Sequence, residues 1–141
     1  MIEKVKKTLQ QASEAIKEQA SSIGDSAMER TYKLFEAWTA ILPVLQDCGL
    51  EMQSFGISLT LSPSMEVVLV GKTADFSQER LDKLKEEHRN STILVSIFRT
   101  MKTTYEIHAK SGGKTLEELH LKLLVKIPPE IKVVFGEPTL L

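Results

Sequence analysis

Two segments place a glycine directly before Lys-Thr, which is how a phosphate-binding loop ends. They are Gly71-Lys72-Thr73 and Gly113-Lys114-Thr115. A complete loop follows the pattern G-x-x-x-x-G-K-[ST], because its first glycine lets consecutive backbone amides wrap the phosphates. Glu66 and His108 stand where that first glycine belongs. Both segments are therefore predicted to be turns with no nucleotide-binding role.

The three histidines and the single cysteine lack the C-x-x-C and H-E-x-x-H spacings of metal sites. We predict no metal ligand and no cofactor. A hairpin turning at Gly112-Gly113 would place His108 opposite Glu118 and His120 opposite Glu106, which predicts solvated cross-strand charge pairs. The alternative is that these four side chains form a zinc or general-base site.

No catalytic nucleophile is apparent. The chain lacks a G-x-S-x-G elbow. Cys48 falls near the end of a predicted helix, where the negative end of the dipole raises the pKa of a thiol and disfavours a reactive thiolate. No catalytic residue is assigned, and the sequence favours a non-enzymatic protein.

The charge balance excludes strongly electrostatic functions. In 141 residues, 18 Lys and Arg stand against 19 Asp and Glu, for a net charge of −1. Nucleic-acid binding is not expected, because it requires a clustered basic excess. One cysteine cannot form an internal disulfide, and neither a secretory signal nor an apolar run of about 20 residues is present. We expect a cytoplasmic protein.

The amphipathic pattern of residues 2–23 predicts a helix with a narrow apolar stripe. Apolar residues recur there at steps of three and four, with polar residues between them: Ile2, Val5, Leu9, Ala12, Ile16, Ala20 and Ile23. Such a stripe is typical of a helix–helix seam. We therefore divide the chain into an N-terminal amphipathic helix, 1–24, and a single α+β domain, 25–141.

The domain is predicted to begin with a more apolar helix, from Met28 to Leu45, that kinks or restarts at Pro43. A hairpin follows, in which Leu61 faces Met65, and a surface helix begins near Asp75 or Ser77 and ends near Arg89. Four further strands are predicted at 92–99, 103–110, 119–127 and 131–135. The resulting order is ααββαββββ, with about six strands in a mainly antiparallel sheet.

This order of elements is similar to that of the cone-shaped folds of the nuclear-transport-factor-2 and ketosteroid-isomerase type. The similarity is one of topology alone, because the catalytic carboxylates of that group are not found at recognisable positions. It assigns no family and carries no function.

Three functions remain open. The first is an interaction or assembly protein that forms a homo-oligomer, most simply a dimer. Its contacts would be a sheet face carrying Val68 and Val70 and the N-terminal stripe, represented by Ile2, Val5, Leu9, Ile16 and Ile23. The second is a binder of small apolar ligands, or an enzyme, with a pocket lined by Tyr32, Phe35, Trp38, Phe55 and Tyr105. The third is attachment to a membrane surface through residues 2–23, where the basic excess is slight.

Overall fold

The structure is a computed structural model and describes residues 25–137. Three helices and four strands make up the described part of the chain. In chain order they are α1 (Asp25–Asp47), β1 (Glu51–Ser58), β2 (Ser64–Lys72), α2 (Gln78–Glu87), α3 (Thr92–Lys110), β3 (Glu118–Val125) and β4 (Glu130–Phe135). A single turn of 3-10 helix, Thr73–Asp75, follows β2. The predicted α+β class is confirmed.

The four strands form one antiparallel sheet in the order β1-β2-β3-β4. Along the chain, α2 and α3 come between the two central strands, β2 and β3. One sheet face packs against the helices. Its side chains alternate along β2 and β3 and are wholly buried, as a half-covered antiparallel sheet requires: Met65, Val67, Leu69, Leu119, Leu121, Leu123 and Val125.

The helix α1 is continuous through Pro43, where a kink or restart was predicted. Its inward side chains Phe35, Trp38, Leu42 and Leu45 form much of the core. The free energy gained by burying this face exceeds the cost of the one backbone hydrogen bond that Pro43 cannot donate.

The hairpin of β1 and β2 forms, but its predicted register is wrong. Ile57, not Leu61, pairs with Met65, and Phe55 pairs with Val67. The loop is longer than predicted, and Leu61 is 76% exposed within it. Because the shift is an even number of residues, Ile57, Met65 and Val67 still face the core, whereas Leu59 and Leu61 fall in the loop.

The surface helix α2 is confirmed. Ser77 caps it by accepting a hydrogen bond from the backbone N–H of Arg80, as a serine before a first helical turn should. Leu81 and Leu84 are its buried residues, which agrees with the sequence pattern.

The two strands predicted at 92–99 and 103–110 are wrong, because both segments belong to α3. Ser91 caps this helix, and its buried residues recur with helical spacing: Leu94, Ile97, Phe98 and Met101. A short run of β-branched and apolar residues is ambiguous between strand and buried helix, and the packing partner decides it. Within residues 25–137 the sheet therefore has four strands rather than the six predicted, and the predicted element order is not matched.

A glycine pair ends α3 where a hairpin was predicted. Gly112 has a φ of 74°, the left-handed conformation that commonly follows a helix. Beyond it, β3 and β4 lie close to the predicted segments, although β3 ends at Val125 and leaves Ile127 outside the sheet.

Candidate functional site

The second face of the sheet, here called the open face, carries no residue of the helix-packed core cluster. The pairing of the strands aligns the side chains of this face in rows that run across the sheet. Val70 lies beside His120, which has Val134 on its other side, and Val68 lies beside Lys122, which has Lys132 on its other side. The outward positions of the four strands include Ser54, Gly56, Ser58, Glu66, Val68, Val70, His120, Lys122, Leu124, Glu130, Lys132 and Val134.

The open face mixes apolar and charged side chains, because His120 and Lys122 of β3 stand between the valines of β2 and the side chains of β4. Val68 is buried, whereas Val70, Leu124 and Val134 are half-buried. Lys122 and Glu66 form an ion pair across the two central strands, with 3.6 Å between Nζ and Oε1. Val68 and Val70 of β2 are thus the neighbouring apolar pair of this face, and charged side chains stand beside them on β3.

His120 is the one buried ionisable side chain of this face and is 4% exposed. Its Nδ1 lies 2.9 Å from the carbonyl oxygen of Gly136, and its Nε2 lies 3.7 Å from a carboxylate oxygen of Glu118. The predicted partners are wrong, since Glu106 and His108 belong to α3. His108 instead meets the ring of Phe135 edge-on, at 5.6 Å between centroids.

Two adjoining hollows, here called the acidic cleft, lie where β2 ends and β3 begins. Their volumes are about 670 and 590 Å³, and they share Leu116, Glu117 and Glu118. The first also contains Thr73 and Lys72, and the second reaches His120 on the open face. The cleft therefore continues the open face at one end of the sheet.

Carboxylates dominate the lining of the acidic cleft, with Lys72 as the single lysine. They are Glu51, Asp75, Glu117, Glu118 and Glu137. Within residues 25–137, no lysine or arginine side chain forms an ion pair with any of these five. Their uncompensated charge makes this end of the sheet locally negative although the chain is nearly neutral.

Thr73 lies in the wall of the cleft and is 3% exposed. Its backbone is fully engaged: the N–H donates to the carbonyl oxygen of Glu117 at 2.8 Å, and the carbonyl oxygen accepts hydrogen bonds from the Tyr105 hydroxyl and the Phe76 N–H. Its side-chain hydroxyl oxygen is buried and has no hydrogen-bond partner among the described residues. An unsatisfied buried hydroxyl is costly and therefore uncommon.

Gly71 allows the strand end to pack tightly beside the cleft and is not the turn glycine predicted. It lies within β2, where a Cβ atom would stand 2.9 Å from Leu50 Cδ2 and 3.1 Å from Phe76 Cε2. Gly71-Lys72-Thr73 is thus the end of a packed strand and the start of a 3-10 turn. Gly113-Lys114-Thr115 lies between α3 and β3.

The five residues predicted to line a pocket all belong to the core or to its edge. Phe35 and Trp38 are buried in the core, and Tyr32, Phe55 and Tyr105 pack partly buried against it. Tyr105 stacks at a tilt on Phe135 with 4.6 Å between centroids, and burial raises the pKa of its phenol.

Cys48 is buried at the end of α1. Burial is the main cause that raises the pKa of its thiol, and Asp47 and Glu87 raise it further, while Arg80 acts in the opposite direction. The Arg80 guanidinium donates a 2.7 Å hydrogen bond to the Cys48 carbonyl oxygen. These surroundings favour the unreactive thiol form.

The residues predicted to form intermolecular contacts fall in two parts of the chain. Val68 and Val70 lie on the open face, whereas the predicted stripe of Ile2, Val5, Leu9, Ile16 and Ile23 lies outside the described residues.

Across residues 25–137, no helix is long and apolar enough to cross a membrane. The same part of the chain groups no three His, Cys, Asp or Glu side chains in a way that could hold a metal ion.

Sequence reasoning missed the acidic cleft. Glu117-Glu118 was a visible acidic pair, but Glu51 and Asp75 are distant from it along the chain and only the sheet brings them near. Comparison of the chain with family models, with curated proteins and with solved structures finds no match in any of the three.

Proposed function

We propose that this protein is a non-enzymatic interaction or assembly protein that forms a homodimer. In this dimer, the stripe of residues 2–23 from one copy lies on the open face of the other. The observation that carries the proposal is a sheet face that no helix of residues 25–137 covers and that presents the neighbouring Val68 and Val70 of β2. A helix with a narrow stripe needs an apolar counterpart, and this face supplies one.

The outward side of α1 is a poor packing surface for the stripe of residues 2–23 of the same chain. Glu29, Arg30, Lys33 and Glu36 are all exposed there. Ala37 and Ala40 are exposed farther along α1, so these charges lie mainly in its first half. A stripe of Leu, Ile and Val packed there would desolvate them.

Chain connectivity supports a second copy as the source of the stripe. Only Gly24 separates the predicted helix from α1, and helices joined by so short a turn pack about 8–10 Å apart. The helix layer and the open face lie on opposite sides of the sheet, roughly 20 Å apart if each packed layer takes about 10 Å. A connection this short favours the open face of a second copy over that of the same chain as the counterpart of the predicted helix.

The test is light scattering on the full chain at micromolar concentration. We expect a dimer for the natural sequence and a monomer for Leu9→Asp/Ile16→Asp, which breaks the stripe. The matched control is Gln11→Asp/Ser21→Asp, which adds the same charge on the opposite side of the predicted helix and should stay dimeric. A monomeric natural chain would refute the proposal.

The two other functions make separate predictions. A binder of small apolar ligands should retain such a molecule in native mass spectrometry of the freshly purified protein. Attachment to a membrane surface should appear as co-sedimentation with anionic liposomes at low salt. A dimer that carries no ligand and stays in the supernatant favours the interaction function.

A further inference from the structure

The outer edge of β1 is a sheet edge with which no strand of residues 25–137 pairs. β1 comes first in the order β1-β2-β3-β4, and β2 is the one described element that contacts it extensively. On its outer side, the backbone N–H and C=O groups of β1 form no hydrogen bond with other backbone groups of the described residues. Such a row of unpaired groups is a template for a further strand.

The two edges of the sheet differ in their protection against further pairing. β4, at the other edge, has 6 residues, follows Pro128-Pro129, and carries the charged Glu130 and Lys132. Proline and lysine are devices by which natural edge strands resist pairing. β1 has 8 residues and contains neither of them, and its one charged residue is Glu51, at its start. Further pairing is therefore favoured at β1.

The regular part of β1 has a limit at each end. A bulge between Met52 and Ser54 interrupts the pairing with β2, and the loop to β2 begins after Ser58. A bulge bends an edge strand and stops regular pairing at that point. The segment that can accept a regular strand is thus 54–58, here called the edge segment, and it carries no charge.

The edge segment is a palindrome in residue type. It reads Ser-Phe-Gly-Ile-Ser, with Gly56 at its centre. When two copies pair antiparallel about Gly56, each Phe55 lies opposite Ile57 of the other copy, and each Ser54 lies opposite Ser58. Directly opposite side chains share a face of the sheet, so apolar groups contact apolar groups and hydroxyls contact hydroxyls. The edge segment is therefore complementary to itself.

The burial of the edge segment agrees with a missing neighbour. Phe55 and Ile57 pack against the core but remain half-buried, whereas their partners on β2, Val67 and Met65, are wholly buried. A second strand beside β1 would cover apolar surface that Phe55 and Ile57 still expose, and its removal from water is favourable. Two uncharged segments also meet without electrostatic repulsion.

We propose that the edge segments of two copies of this chain pair antiparallel about Gly56 and join their sheets into one. The pairing would add about four to six backbone hydrogen bonds. It goes beyond the proposed dimer, because it uses the sheet edge and no residue of 2–23. Five residues from each copy are far fewer than the roughly 20–30 on each side of a standard interface, so this contact is weak and forms at higher protein concentration.

Disulfide cross-linking of the full chain tests the register. Directly opposite residues of an antiparallel pair have Cα atoms about 4.5–5.5 Å apart, within the range of a disulfide. Gly56→Cys should therefore form a covalent dimer under mild oxidation at several hundred micromolar protein. Its new Cβ has nothing within 4 Å, so the fold should tolerate it. The natural chain, whose Cys48 is buried, gives the background.

Two serine variants supply the matched controls. Ser54→Cys alone should not cross-link, because in this register the two substituted positions lie four residues apart along the strands, roughly 13 Å. An equimolar mixture of Ser54→Cys and Ser58→Cys chains should cross-link, since these positions face each other. Circular dichroism checks that each variant is folded. If Gly56→Cys does not fold, the mixture of serine variants tests the register by itself.

Charged substitutions test the same register without a covalent bond. Ser54→Lys/Ser58→Lys places like charges opposite each other twice, whereas Ser54→Lys/Ser58→Glu places opposite charges at the same two points. Both serines are exposed, so neither variant should disturb the fold. Sedimentation velocity on chains that also carry Leu9→Asp/Ile16→Asp isolates the edge contact. We expect its dissociation constant to be roughly tenfold or more higher with the like charges.

The outcomes separate this proposal from the proposed function. The edge pairing is refuted if Gly56→Cys stays uncross-linked, if Ser54→Cys alone cross-links as fast, or if both charge variants associate equally well. A natural chain that is monomeric at micromolar concentration but cross-links through Gly56→Cys refutes the dimer through residues 2–23 and supports the edge pairing. A micromolar dimer without this cross-link does the reverse.

Discussion

The unsatisfied hydroxyl of Thr73 predicts that its removal stabilises the monomer. Thr73→Val replaces the hydroxyl with a methyl group of similar shape and leaves the backbone hydrogen bonds of the 73–75 turn in place. A buried polar group without a partner costs about 1–3 kcal/mol. We expect the free energy of unfolding of Thr73→Val to rise by about 1 kcal/mol.

Thr39 provides a matched comparison within the same core. It is also buried, but its hydroxyl donates a 2.7 Å hydrogen bond to the Phe35 carbonyl oxygen and contacts the Met65 sulfur at 3.7 Å. Thr39→Val removes this bond, so the free energy of unfolding should fall by about 1 kcal/mol. The same substitution at two buried positions should thus have opposite signs.

Urea unfolding followed by circular dichroism measures both variants, at a protein concentration where light scattering finds monomer. The slope with urea should match that of the natural chain, so that the midpoint alone reports the change in stability. In thermal unfolding, 1 kcal/mol corresponds to a shift of roughly 4 °C for a domain of this size. If Thr73→Val destabilises the monomer as much as Thr39→Val does, the hydroxyl is satisfied in solution and the reasoning fails.

Two further predictions concern residues beside the acidic cleft. Gly71→Ala should lower the free energy of unfolding by about 1–3 kcal/mol, because the new Cβ would stand 2.9 Å from Leu50 Cδ2. The control in the same urea-unfolding experiment is Gly56→Ala. Its new Cβ has nothing within 4 Å, so this substitution should change the free energy of unfolding little. Burial raises the pKa of Tyr105 above its ordinary value of 10.0, so the stability contributed by the neutral phenol is complete below about pH 10 and is lost above it. Tyr105→Phe should be about 1 kcal/mol less stable at pH 7, since the bond to the Thr73 carbonyl is lost, but flatter in stability between pH 9 and 11. An equally steep alkaline loss in the variant would contradict this assignment.

Local patterns determined much of the fold. The alternation of Leu119, Leu121 and Leu123 identified β3 and its buried face, because side chains of a strand alternate between faces regardless of the rest of the chain. Ser77 began α2 for an equally local reason, since its side chain accepts a hydrogen bond from the first helical turn.

Tertiary packing decided what local patterns left ambiguous. Residues 92–110 contain β-branched and apolar residues compatible with two strands, and they form α3 because Leu94, Ile97, Phe98 and Met101 then reach the core together. The register of β1 on β2 was likewise open, since a shift by an even number of residues preserves the buried face and only the loop geometry fixes the pairing.

The sequence by itself determined the near-neutral charge, the stripe on residues 2–23 and the apolar alternation of the central strands. It could not reveal the acidic cleft, because Glu51, Asp75 and Glu117 are far apart in the chain and only the antiparallel sheet brings them to one end. Nor could it reveal the unpartnered hydroxyl of Thr73, since whether a hydroxyl is satisfied depends on neighbours that only the folded chain supplies.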